Sequence, residues 1–275
     1  MVIGVIGLGL IGGSMALALK KNLSVSKIMG YDLNLIHCEE ALDLKIVDEI
    51  VAFEELLDVD ILFLAIPVEG IIEVLKKLQN INKNCTIIDL GSTKEKIIDE
   101  IPSQIRENFI PAHPMAGKEK IGPKSAVDDL YENMVVVFCD IENSKKIHHE
   151  RAKMIFQKLK MRIVYMDAVA HDKHAAFISH LPSFTSYALA NTVMNQEDPK
   201  NILTLAAGGF KDMSRIAKSS PAMWGDIFKQ NKTNVLNTIE LFQKELTKAS
   251  TMIKEEKWQE LEIWMKDATT LHKIL

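Results

Sequence analysis

The sequence lacks the markers of several protein classes. Its three cysteines, Cys38, Cys85 and Cys139, are widely spaced with no C-x-x-C pair, which excludes a disulfide framework or a cysteine-built zinc site and fits a reducing compartment. Proline and glycine are few, 8 and 13 in 275 residues, and 47% of the chain is hydrophobic, so disorder is excluded. Neither sign of charge is in excess: 33 basic against 37 acidic residues give −4, too little positive charge for a bulk grip on nucleic acid or an acidic membrane. No basic leader precedes the first apolar residues, and the longest apolar run, 61–68, falls far short of the roughly 18 residues of a membrane span. A cytoplasmic protein is expected, with no nucleic-acid or membrane partner, in which any anionic ligand is met by local features. No internal repeat or low-complexity segment is present.

What is there is an alternation. Apolar runs of strand length at 2–6, 27–32, 61–67, 86–90, 109–113, 134–139 and 162–166 are separated by helical patterns, such as Ile71, Val74, Leu75 and Leu78. This predicts an α/β fold with a helix-flanked, mostly parallel sheet. After Met166 no further strand-like run occurs and helical periodicity takes over, which predicts two domains, 1–166 and 167–275, the second all-helical. Near the end, Val235, Ile239, Phe242, Leu246, Ala249 and Ile253 form one apolar stripe, continued by Trp258, Leu261, Met265, Ala268 and Leu271. It reads as a core-facing helix or a homodimer interface.

Directly after the first strand comes Gly7-Leu8-Gly9-Leu10-Ile11-Gly12, opening a helix. Gly7 permits the tight turn, Gly9 lets the backbone approach a pyrophosphate, and Gly12 lets the helix pack on the strand. Asp32 ends the second strand, about 20 residues beyond Gly12, the distance at which an acid meets the ribose 2′-hydroxyl. Its carboxylate repels a 2′-phosphate, and Leu33 and Asn34 bring no cation, so NAD is expected over NADP, with FAD a lesser alternative. Leu10 and Ile11 line the same turn. Parallel strands deliver ligand contacts at their carboxyl ends, which adds Ile66 and Pro67, then Ser92 and Thr93 of Asp89-Leu-Gly-Ser-Thr-Lys94. Ser92 also reads as the N-cap of a capping box with Glu95.

The next strand carries His113 to the same edge, followed by Pro114, Gly117 and Glu119. A histidine there suits acid/base chemistry near neutral pH. In the helical part, Ser179-His180-Leu181-Pro182-Ser183 sets a proline in a helical pattern and predicts a kink. Arg215 is suited to clamp a carboxylate, with Asp212 one turn earlier to orient it, or the two form a surface ion pair. His171 and His174 stand one turn apart without a third ligand, so no metal is expected. His148 and His149 sit among charges and read as a solvated face.

Together these motifs resemble the prephenate dehydrogenase family over essentially the whole chain. The resemblance rests on Gly7 to Ser14 with Asp32, on Asp89 to Lys94, on His113-Pro-Met-Ala-Gly117, on Ser179-His-Leu-Pro182, and on Phe210 to Ala217 with Met223-Trp224. It implies a Rossmann-type NAD-binding domain, a helical domain that dimerises, and an active site in the cleft between them. It further implies that His113 accepts the proton of the ring C4 hydroxyl of prephenate as hydride leaves for NAD. Ser92 would orient His113, and Arg215 would bind a substrate carboxylate supported by Asp212. Gly117, Glu119, His180, Ser183, Lys211 and Trp224 complete the implied substrate site. Many members have a second histidine where this chain has Ser183, which leaves prephenate and arogenate both open as substrates. A monofunctional enzyme is expected, with neither a chorismate mutase region nor an ACT domain. The sequence also admits a 3-hydroxy acid dehydrogenase using Lys211 as proton donor, and an NAD-sensing module without turnover.

Overall fold

A computed structural model describes residues 1–274. The first part alternates strands and helices: β1 (Val2–Ile6), α1 (Leu10–Asn22), β2 (Lys27–Tyr31), α2 (Leu35–Asp43), β3 (Glu49–Ile50), β4 (Ile61–Leu64), α3 (Val68–Leu75), β5 (Thr86–Asp89), α4 (Glu95–Asp99), β6 (Phe109–Pro114), β7 (Val135–Cys139), α5 (Lys146–Lys158) and β8 (Arg162–Met166). They form one sheet in the order β3-β2-β1-β4-β5-β6-β7-β8. The strands from β3 to β6 are mutually parallel, β7 runs antiparallel to β6, and β8 is parallel to β7. This is the Rossmann-type order, and its direction of winding reverses between β1 and β4, where a crevice opens beyond the strand ends.

The sheet is covered on both faces, which is why its central strands are apolar throughout. In β4 the alternation is visible: Ile61 and Phe63 join the core beneath α1 and α5, while Leu62 and Leu64 join the core beneath α3. Removing a side chain such as Phe63 from water contributes about 1.5–3 kcal/mol. All seven expected strands are present, several a residue or more shorter than the apolar run, and β4 stops at Leu64. The two-residue β3 is additional, too short to show a pattern of its own.

Helices follow: α6 (Ala168–Ala175), a π-turn (Ala176–His180), α7 (Leu181–Met194), α8 (Pro199–Thr204), α9 (Gly208–Ser214), a 3-10 turn (Arg215–Lys218) and α10 (Pro221–Gln230). The expected kink takes the form of the π-turn: Leu181 N–H reaches back five residues to the Ala176 carbonyl, just before Pro182, which has no N–H to give. By packing, the chain divides into two compact units, Met1–Asn231 and Lys232–Leu275. The change of texture at Met166 therefore marks a change of secondary structure, and packing continues past it. Helix α6 lies against α4 and β7, and α10 against α3.

The second unit holds α11 (Lys232–Lys254) and α12 (Trp258–Ala268). The apolar stripe is broken between them, where Glu256 takes a left-handed conformation with φ 56°. The two helices pack on each other, and Trp264 Nε1 donates to Glu245 Oε2 at 2.8 Å. Among the described residues, no helix is long and apolar enough to cross a membrane.

Candidate active site

At the end of β1 the glycines divide by what surrounds them. Gly7 has φ +93°, and a Cβ there would lie 2.3 Å from the Ala65 carbonyl oxygen. At Gly12 a Cβ would lie 1.9 Å from the Gly7 carbonyl oxygen. Both are dictated by the protein's own backbone. Gly9, the residue before α1, would meet nothing within 4 Å. Its lack of a side chain leaves space above a helix N-terminus whose first turn has no acidic residue, and that open cradle fits a dinucleotide's phosphates. Leu10 is buried, Ile11 accepts from the Tyr131 hydroxyl through its carbonyl at 2.6 Å, Ile66 packs over Gly7, and Pro67 is exposed at the start of α3.

Asp32 follows β2 and holds the loop in place. Its Oδ2 accepts from Leu8 N–H at 2.8 Å, and its Oδ1 accepts from Asn34 N–H at 2.8 Å. His37 Nδ1 stands 3.4 Å from Oδ2, a neighbour that the residues adjacent to Asp32 in sequence do not disclose.

At the end of β5, Asp89 forms an ion pair with Lys94, with no exposure to solvent. Gly91 N–H also donates to Asp89 Oδ1 at 2.8 Å, while Oδ2 and the buried Thr93 hydroxyl lack partners among the described residues. Burial raises the Asp89 carboxyl above its usual range, against the pull of Lys94. The capping box expected at Ser92 does not form. Helix α4 begins at Glu95, and the N–H groups of Lys94 and Glu95 are taken by Asp172 Oδ1 and Oδ2 at 2.8 and 3.0 Å. A carboxylate far along the chain has displaced the local cap, leaving Ser92 half-buried and without a hydrogen bond among the described residues.

His113 lies in β6 near its carboxyl end, 9% exposed. Among the described residues no hydrogen bond joins it to Ser92. His113 Nδ1 is 2.8 Å from His171 Nε2, and His171 Nδ1 is 2.7 Å from Asp172 Oδ1. The rings of His113 and His171 meet edge to face with centroids 5.0 Å apart. Burial holds His113 well below the usual histidine pKa, with His171, Lys94 and His180 adding to the effect. Asn231 Nδ2 donates to the Asp172 carbonyl at 2.6 Å and stands 3.2 Å from His180 Nδ1. His180 is itself pushed down to about 4 by burial, opposed by Asp172. Its Nε2, and Nε1 of the adjacent Trp224, are buried without hydrogen-bond partners among the described residues.

Other expected residues stand apart from this cluster. Arg215 pairs with Glu119, not with Asp212, because α9 ends at Ser214 and a tighter 3-10 turn carries Arg215 away from the face of Asp212. The guanidinium is more than half exposed. Lys211 and Asp212 are exposed. Gly117 is exposed too, and a Cβ there would meet nothing within 4 Å. Ser183 is buried, and its hydroxyl donates to the Ser179 carbonyl at 3.0 Å, one turn back. His148, expected on a solvated face, is 2% exposed with Nδ1 2.8 Å from the Thr86 hydroxyl.

Residue-by-residue reading missed His171, Asp172, Asn231, Asp89 and Lys94. A signal existed for the first two. In α6 the buried positions are Ala168, His171, Asp172 and Ala175, spaced i, i+3, i+4, i+7, so the alanines mark a core-facing stripe on which two polar side chains need partners. His174 lies off that stripe and is exposed, so it is not a partner of His171.

Comparison with known proteins matches residues 15–165 to the nucleotide-binding domain of prephenate dehydrogenase and residues 167–267 to its dimerization domain. The prephenate dehydrogenase of Bacillus subtilis (strain 168) is 34% identical over 274 residues, spanning 95% of this chain and 72% of its own. The crystal structure of A. aeolicus prephenate dehydrogenase in complex with hydroxyphenyl propionate and NAD+ aligns with a TM-score of 0.92 at 33% identity, covering 99% of this chain and 97% of that one. Synechocystis arogenate dehydrogenase aligns with a TM-score of 0.80 at 28% identity, covering 99% of each chain.

Proposed function

The chain belongs to the prephenate dehydrogenase family, and from that premise we propose that it is an NAD-dependent prephenate dehydrogenase, forming 4-hydroxyphenylpyruvate with loss of carbon dioxide. The observation that carries the reading is a buried imidazole, His113, whose Nε2 has no protein partner among the described residues and which sits at the carboxyl edge of the sheet that also carries the Gly9 cradle.

Bound NAD supplies the hydride acceptor. Gly9 with the first turn of α1 would hold its phosphates, on a loop whose shape Gly7 and Gly12 set, Asp32 would accept from the ribose, and Leu10, Ile11, Ile66, Pro67 and Ser92 would line the rest of the binding surface, while Thr93, expected beside them, has no exposed surface. The neutral state that burial imposes on His113 suits a base. As hydride leaves ring C4, His113 Nε2 accepts the C4 hydroxyl proton. The bond from ring C1 to its carboxylate breaks, carbon dioxide departs, and the freed electron pair completes the aromatic ring. The proton then returns from His113 to the oxygen as the phenol, so the reaction releases no net proton.

Arg215 and Glu119 act in substrate positioning. Their pair is exposed enough to be worth under about 1 kcal/mol, so a substrate carboxylate can replace Glu119 as the partner of Arg215. A cation fixed firmly on the departing carboxylate would oppose its loss, so Arg215 serves the side-chain carboxylate. The unpartnered nitrogens of His180 and Trp224 are offered to the polar groups of the substrate. The helices of 167–275 form a homodimer, in keeping with the dimerization-domain match.

Initial rates with prephenate and with arogenate, each with NAD and NADP, test the reading. Turnover is expected to be fastest with prephenate and NAD. Faster turnover of arogenate would replace the substrate, and NAD binding without turnover of either would overturn the activity.

A further inference from the structure

A base works only if its free nitrogen is the one that faces the proton. An imidazole has two nitrogens, and which one carries hydrogen is set by what the other meets. In His113 the nitrogen facing protein is Nδ1 and the nitrogen left open is Nε2. Catalysis therefore needs the hydrogen on Nδ1, and Nδ1 needs an acceptor.

The chain of contacts supplies one. Both oxygens of Asp172 already accept from backbone, Oδ1 from Lys94 N–H and Oδ2 from Glu95 N–H. The carboxylate therefore presents an acceptor to His171 Nδ1, which must carry the hydrogen between them. With Nδ1 the donor, His171 Nε2 is the acceptor, and His113 Nδ1 donates to it across 2.8 Å. The lone pair of His113 is left on Nε2. We propose that His171 and Asp172 are positioning residues that fix His113 in the tautomer with Nε2 free.

The arrangement explains three facts at once. It accounts for two polar side chains on the alanine stripe of α6. It accounts for the cap of α4 coming from Asp172 and not from Ser92, because the capping N–H groups hold the carboxylate in place for His171. It also accounts for the buried Asn231, which donates to the Asp172 carbonyl and fixes the backbone of the same residue. Asp172 transfers no proton in this scheme. It orients His171, and His171 orients His113. The proposal rests on His113 being the base.

Nitrogen-15 NMR of imidazole-labelled protein reads the tautomers directly, with a His113→Asn sample assigning the resonance. At mildly alkaline pH the expected pattern is hydrogen on Nδ1 of both His113 and His171. Hydrogen on His113 Nε2 overturns the proposal, whatever the substrate proves to be. Turnover with the preferred substrate gives the second readout. In His171→Gln, Asp172 draws the amide NH2 toward itself and leaves the amide oxygen to accept from His113, so kcat is expected within about tenfold of wild type. In His171→Leu the acceptor is gone while Asp172 keeps its two backbone partners, and kcat is expected to fall about 10²-fold or more, with the KM of the substrate and the Kd of NAD within about threefold. Equal loss in both variants, or a His171→Leu rate within about threefold of wild type, overturns the proposal. If His171→Leu does not fold, the wild-type spectrum and the Gln variant still decide. A correct tautomer without turnover of prephenate or arogenate refutes the proposed activity and leaves the relay standing.

Discussion

The two ends of the candidate site are built in opposite ways. At the nucleotide end, the requirement for glycine at Gly7 and Gly12 comes from backbone contacts within the loop itself and with Ala65 on the neighbouring strand's exit. At the reacting end, His113 depends on a partner 58 residues away, and the Asp172 that completes the chain grips a helix 78 residues before it. The first end is fixed by local sterics and the second by tertiary hydrogen bonds, so perturbations should separate them.

The largest separation comes from His113→Asn. Removing the base is expected to lower kcat by about 10²- to 10⁴-fold. The Kd of NAD, measured by fluorescence titration, is expected to stay close to wild type, because among the described residues His113 is neither a hydrogen-bond partner nor a close neighbour of Gly7, Gly9 or Gly12. A parallel loss of NAD affinity would mean that the two ends are coupled.

Acid is expected to act through histidines that are buried in the neutral state. His113, His148 and His180 are each held below the usual value of 6.5, with burial the leading cause in each. The unfolded chain therefore binds protons near 6.5 that the folded chain refuses. Their contribution to stability is complete above that value and is lost as pH falls, for His180 down to about 4. Three such groups imply a loss of up to roughly 4 kcal/mol per pH unit below the unfolded value. Tm measured between pH 7 and 5, above the range of most carboxylates, should fall steeply. A flat profile would show that these rings take up protons as readily in the folded protein as in the unfolded chain.

The contrast also explains what was legible beforehand. Strands, their order of appearance and the glycine loop each follow from patterns within a few residues, and they were readable because parallel sheets need apolar runs and tight turns need glycine. The place of His113 on the sheet edge was readable for the same reason. Its contact with His171 is not, since the resemblance implies Ser92 as the orienting residue and the HxxH spacing sets His171 beside His174. The capping box at Ser92 failed because Asp172 offered two oxygens to the same helix end, and a pairing between distant segments leaves no local spacing to read. The pairing of Arg215 with Asp212 does not form, because the α helix tightens to 3-10 at Arg215 and Glu119 takes the guanidinium.

Within the nucleotide end itself, two glycines should respond differently. Gly12→Ala sets a Cβ against the Gly7 carbonyl, a backbone atom that cannot move aside, and is expected to cost about 2 kcal/mol or more in stability as well as NAD binding. Gly9→Ala meets no protein atom at a φ of −70° that alanine accepts. Its stability is expected within about 0.5 kcal/mol of wild type while NAD affinity drops about tenfold or more, since the methyl group fills the phosphate cradle. Equal NAD affinity in Gly9→Ala and wild type would remove the cradle from the binding surface.

The smallest effect is expected at Ser183, and it tests a boundary of the reacting end. The motif sets this residue one position beyond Pro182, and the family resemblance implies a substrate contact there. The hydroxyl instead donates to the Ser179 carbonyl one turn back. That bond lies where the π-turn and Pro182 disturb the helical ladder, so it serves the backbone. Ser183→Ala should therefore lower stability by only about 0.5–1 kcal/mol, the net worth of one hydrogen bond, and leave kcat/KM within about twofold. A tenfold fall in kcat/KM at unchanged Tm would return Ser183 to the substrate site and imply that the hydroxyl swings away from Ser179 when substrate binds. The polar contacts would then extend from His180 across the proline, and His180 and Ser183 would have to be treated as one recognition element on the two sides of the π-turn.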